Sequence, residues 1–120
     1  MSMETSQTIR LASVKDIPEG AGREYRVGDL FVAIFRDRGE YYALEDYCPH
    51  AGAPLNDGPI SQGSVMCLWH GWKFSLRDGS CTNIPRGFPV RTFPLKIEGE
   101  DIYVTLPRND APVNDVKAES

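Results

Sequence analysis

Both histidines of the chain stand beside cysteines: Cys48-Pro49-His50, then sixteen intervening residues, then Cys67-Leu68-Trp69-His70. Two thiolates and two neutral imidazoles form a four-donor set able to hold one tetrahedral zinc or an iron–sulfur cluster. The order of the donors bears on the choice. A Cys2His2 zinc finger collects both cysteines on one knuckle and both histidines on another, whereas here each knuckle supplies one of each. Such interleaving suits two metals, one iron taking both cysteines and the other both histidines.

The elements that must position these donors read as an all-β chain. Asp29–Arg36 is a strongly apolar run, Asp37-Arg-Gly-Glu40 has turn chemistry, and Tyr41–Glu45 returns, a hairpin that leads straight into Cys48. Ser64–Cys67 and Lys73–Leu76 are short strand candidates around the second cysteine, followed by a tight turn at Arg77-Asp-Gly79. Leu95–Glu98 and Asp101–Leu106 alternate apolar with polar residues on either side of Gly99-Glu100, the period of a half-buried hairpin. Ser13–Pro18 holds at most one helical turn, stopped by Pro18 and Gly20. Residues 1–6 and 108–120 are polar and read as loose tails around one domain over 7–107.

The boxes Cys48-Pro-His-Ala-Gly-Ala-Pro-Leu55 and Cys67-Leu-Trp-His-Gly-Trp-Lys-Phe74 resemble the paired C-x-H and C-x-x-H boxes of the Rieske 2Fe-2S proteins. The resemblance covers both boxes with their glycines and the strand and turn after the second. It implies the Rieske fold: a sandwich- or barrel-like base of antiparallel strands built from both ends of the chain, carrying a small cluster-binding lobe near residues 45–78. It also implies one 2Fe-2S cluster, with Cys48 and Cys67 on the inner iron and His50 and His70 on the outer iron. The loop Ala51–Leu55 would lie over the cluster beside Gly71-Trp72. There small residues let backbone N–H groups approach the sulfides, although Gly52 and Gly71 also fit ordinary turn geometry.

Formal charge shows why such a ligand set is useful. Two ferric ions, two sulfides and two thiolates leave the oxidised site near neutral, about two units less negative than an all-cysteine site, so an added electron is accepted more easily. High-potential Rieske subunits carry an extra cysteine in each box, forming a disulfide; Ala53 and Trp69 occupy those positions here. Their Ser and Tyr hydroxyl donors are replaced by Trp72 and Phe74, so the chain resembles the low-potential ferredoxin branch.

Composition sets outer bounds. With 120 residues and 41% hydrophobic content, the chain suffices for one core, and a second catalytic domain is not expected. A net charge of −4 without a basic cluster argues against nucleic acid. The first residues lack the apolar run of a signal peptide and no stretch approaches the length of a membrane span, so a cytoplasmic location without membrane attachment is expected. Cys81 is the odd cysteine out, read as a small buried residue outside the lobe. Trp69 and Trp72 are read as packing residues that shield the cluster. An apolar patch of Ala51, Pro54, Leu55 and Trp72 is expected to face the redox partner.

The sequence therefore favours a one-electron carrier, not an enzyme, passing electrons from a flavoprotein NAD(P)H reductase to a terminal oxygenase. Two alternatives remain. One is the small 2Fe-2S subunit of an enzyme complex, paired for example with an assimilatory nitrite reductase large subunit; the other is a structural zinc domain.

Overall fold

The structure, a computed structural model, describes residues 6–48, 52–69, 71–85 and 87–107. Among the described residues ten strands form three antiparallel sheets: β1 Ser6–Ser13, β2 Ala21–Val27, β3 Leu30–Asp37, β4 Glu40–Glu45, β5 Ile60–Ser61, β6 Ser64–Met66, β7 Lys73–Ser75, β8 Thr92–Phe93, β9 Leu95–Glu98 and β10 Asp101–Pro107. One sheet has the order β1-β10-β9, the second β2-β3-β4-β8 and the third β5-β6-β7. The strand from near the start of the chain thus pairs with the last strand, as a base built from both ends requires.

Strand β3 explains how base and lobe share one domain. Its run Val32-Ala33-Ile34-Phe35 is wholly buried, because successive side chains enter different cores. Val32 and Ile34 join Ala12, Ala43, Ile102, Val104 and Leu106 between the first two sheets. Ala33 and Phe35 point the other way, into a core with Leu44, Leu55, Val65, Phe74 and Leu76 beneath the third sheet. A strand covered on both faces reads as a continuous apolar run, and β3 does.

The expected hairpins are present. Arg38 and Gly39, both at positive φ (54° and 79°), form the two-residue turn between β3 and β4, and Gly99 at φ 65° opens the turn between β9 and β10. The single helical turn is a 3-10 turn, Val14–Asp16, closed by a reciprocal Ser13–Asp16 capping box. Four strands escape the sequence reading. β1 has a bulge between Arg10 and Ala12 that breaks its alternation, β2 is largely charged and polar, and β5 and β8 have two residues each, defined by partners elsewhere in the chain. Ser6 already pairs with Pro107, so the first strand opens inside the segment read as a tail. The remaining tail residues, 1–5 and 108–120, lie outside the described residues.

Candidate metal centre

Cys48 follows β4 and Cys67 follows β6, both fully buried in the lobe core. Each cysteine heads a six-residue knuckle with the same backbone bonding. Cys48 N–H donates to Ala53 O (2.7 Å) and Gly52 N–H to Cys48 O (2.7 Å). In the second, Cys67 N–H donates to Trp72 O (2.7 Å) and Gly71 N–H to Cys67 O (2.9 Å). Both loops therefore close over the residue that begins them. The fifth position must adopt positive φ, and it is Gly52 (73°) in one knuckle and Gly71 (77°) in the other. A β-carbon there would meet the steric cost of left-handed backbone, so these glycines are required by the turn itself. His50 and His70, the third and fourth residues of their knuckles, lie outside the described residues, as do Pro49 and Ala51.

Two side chains beyond the boxes fix the knuckles from outside. Buried Asp46 accepts bonds from Leu55 N, Asn56 N (2.8 Å) and Asn56 Nδ2 (2.6 Å), anchoring the chain just after the first knuckle. Asn83 does the same for the second, accepting from Lys73 N (2.8 Å) and donating to Gly71 O (2.8 Å). The Glu24 carboxyl shares a hydrogen bond with Asp46. That bond, then burial, then the charges of Asp46 and Asp57, push its pKa up to about 7. Nothing in the box spacing marks Asp46 or Asn83, since each acts on backbone about ten residues away.

Several readings of the sequence need correction. Leu55 does not face a partner: it is fully buried in the lobe core, where the alternation of Ala53 and Leu55 turns both side chains inward and Pro54 outward. Trp69 is not a packing residue; it is 65% exposed, beside Leu68 at 58%. Trp72 does pack on the lobe core, its ring stacked on exposed Phe88 (6.4 Å between centroids) and tilted against buried Phe74 (6.3 Å). Cys81 is not outside the lobe. It bridges Phe74 in an antiparallel pair and lies half-buried against the same core, where the Gly87 backbone closes over its sulfur so tightly that a β-carbon would sit 2.5 Å from Sγ. The lobe thus extends past residue 78 to Val90. No disulfide joins Cys48, Cys67 or Cys81, in keeping with Ala53 and Trp69 at the clamp positions.

Two buried thiols at the head of matched, pre-closed loops suit a metal centre: thiolates supply the soft donors, and the surrounding apolar side chains exclude water. A family model for the Rieske [2Fe-2S] domain matches residues 7–94. The chain belongs to this family, and membership implies a 2Fe-2S cluster in place of a structural zinc. Over 91 residues the chain is 42% identical to apoptosis-inducing factor 3 of Homo sapiens, covering 76% of this chain and 15% of that protein. It is 34% identical over 95 residues to the 3-phenylpropionate/cinnamic acid dioxygenase ferredoxin subunit of Escherichia coli K12, covering 78% of this chain and 89% of that subunit. The ferredoxin of carbazole 1,9a-dioxygenase from Nocardioides aromaticivorans IC177 superposes with a TM-score of 0.75 at 28% identity, covering 81% of this chain and 95% of that one.

Proposed function

We propose that this protein is a one-electron carrier of the Rieske ferredoxin type, taking electrons from a flavoprotein NAD(P)H reductase and delivering them to a terminal oxygenase. The observation that carries this reading is the pair of knuckles closed by matching backbone bonds, each headed by a buried cysteine and each containing one histidine in its sequence. A bound 2Fe-2S cluster supplies a single-electron couple. Cys48 and Cys67 would hold the inner iron, and His50 and His70 the outer. The chain's own part is to keep that site dry and fixed. Phe35, Leu44, Leu55 and Phe74 wall it on the protein side, while Asp46 and Asn83 hold the loops.

Similarity to dioxygenase ferredoxins over nearly their whole length supports the oxygenase as partner. Among the described residues no helix is long and apolar enough to cross a membrane. Purified protein should be red-brown, hold about two irons and two acid-labile sulfides per chain, and give a Rieske-type paramagnetic signal on reduction. One zinc and no visible absorption would sink the reading. Cys48→Ser or Cys67→Ser should abolish the signal.

A further inference from the structure

In the absence of a disulfide, the second knuckle needs another connection to the rest of the fold, and the structure supplies one. After the turn at Gly79, the chain runs back antiparallel to β7: Ser75 N–H donates to Ser80 O (2.8 Å), Phe74 pairs with Cys81, and Thr82 N–H donates to Lys73 O (2.8 Å). The next rung would fall on the residues directly after His70. There the backbone ladder stops and the Asn83 side chain continues it, its Oδ1 accepting from Lys73 N and its Nδ2 donating to Gly71 O, both at 2.8 Å. A primary amide carries one acceptor and two donors on a planar group, so it can stand in for a peptide unit across both partners at once. The two partners also settle which end of the amide is oxygen, because Lys73 offers a donor and Gly71 an acceptor.

We propose that Asn83 is a positioning residue for electron transfer: its amide ties the returning segment Ser80–Thr82 to the backbone of Gly71 and Lys73 and so holds the end of the second knuckle in place beside the metal centre. The inference rests on the cluster assignment above. A wild-type protein without a two-iron cluster would defeat that assignment, whereas a normal wild-type cluster leaves Asn83 to be judged separately.

The test uses cluster-loaded protein. Asn83→Ala removes the bonds to Lys73 and Gly71, so the loop should open more often, shortening the half-life of the cluster against a chelator about tenfold. Faster loss alone would also follow from a merely structural role, so the deciding readout is the reduced-state g-values and histidine nitrogen hyperfine couplings. Asn83→Ala should shift both. Asn83→Asp is the conservative rescue. Below its ordinary pKa of about 3.9 the carboxyl is mostly protonated and can donate to Gly71 O while accepting from Lys73 N; when ionised it has no donor and repels the carbonyl. Its couplings should match wild type at low pH and depart from it at pH 7. Wild-type couplings in Asn83→Ala overturn the proposal whatever the rate of cluster loss. Should Asn83→Ala take up no cluster, pH-independent wild-type couplings in Asn83→Asp overturn it equally.

Discussion

At the scale of single residues, the site is tuned by what surrounds the cysteines. Trp72, two residues after His70, places an indole where high-potential relatives place a hydroxyl, and its ring contacts both Phe74 and Phe88. A hydroxyl bonded to a cluster sulfur or thiolate stabilises the reduced, more negative site more than the oxidised one. Such a bond is worth about 1.5–3 kcal/mol in total and only the difference between redox states counts, so Trp72→Ser should raise the potential by tens of millivolts, up to about 100. Voltammetry checks this, and no rise would assign the potential to burial and backbone donors. The wild-type value should lie toward the lower end of the range of about −150 to +300 mV. Phe74→Tyr is the harsher probe, because Phe74 is fully buried and a hydroxyl without a partner there costs about 1–3 kcal/mol. Glu24 gives a residue-scale pH effect. Its folded pKa of about 7 lies above the ordinary 4.5, so the folded state holds the proton more tightly than the unfolded chain. Stability is therefore greatest below about 4.5 as far as this group is concerned, and declines as pH rises toward 7. Melting temperatures across that window should show the decline in wild type, and Glu24→Gln should flatten it. An unchanged slope would mean that other groups dominate.

At the scale of elements, the lobe is fastened to the base through two hairpin turns. Asp37, at the end of β3 and almost buried, accepts from Gly63 N (3.0 Å) in the turn between β5 and β6, and from Arg38 Nε (3.3 Å). Asp37→Ala leaves the Gly63 donor without this acceptor, a loss of about 1–3 kcal/mol. That corresponds to a fall in melting temperature of at least about 4 °C for a domain of this size. Asp37→Asn keeps an acceptor and should recover more than half of the loss; hydrogen exchange at β5 and β6 would show whether the lobe opens first. The hairpins that such contacts join were legible in the sequence, because alternation and two-residue turns are local signals. The cysteines and their glycines were legible for the same reason. Leu55, Asp46, Asn83 and Cys81 were not, since each takes its role from a partner distant in the chain: Leu55 from β3 and β6, Asp46 from Asn56, Asn83 from Gly71 and Lys73, Cys81 from Phe74 and Gly87. Periodicity cannot supply those pairings. The loop Gly52–Leu55 shows the failure plainly. Its composition suggests a uniformly apolar patch, whereas the closed knuckle alternates Ala53 and Leu55 inward with Gly52 and Pro54 outward.

At the scale of the whole molecule, the question is how an electron leaves a buried site. The most exposed large apolar side chains among the described residues are next to the cysteines in sequence, Tyr47 (49%), Leu68 (58%) and Trp69 (65%), or, as Phe88 (61%), stacked on Trp72; Phe31 and Ile97, elsewhere, are less exposed. A contiguous exposed apolar patch marks an interaction surface, and the proposed carrier role, with fast binding and release, suits a small interface of under about 1,200 Å². Leu68 and Trp69 directly follow buried Cys67, so docking by this end brings the partner next to the second knuckle. A charge placed there should weaken docking without touching the core. Trp69→Asp and Leu68→Asp are therefore expected to leave the visible spectrum and melting temperature near wild type while slowing second-order electron delivery to an oxygenase about tenfold. Leu55→Asp makes the instructive contrast: an unpaired carboxylate in the lobe core should cost more than about 3 kcal/mol and disrupt the centre itself. Stopped-flow transfer rates measured alongside spectra separate the two outcomes. Slow transfer with an intact spectrum in the Trp69 and Leu68 variants places the partner on this end of the lobe; undiminished rates in both would move docking to another face, and the exposed aromatics would need a different occupant.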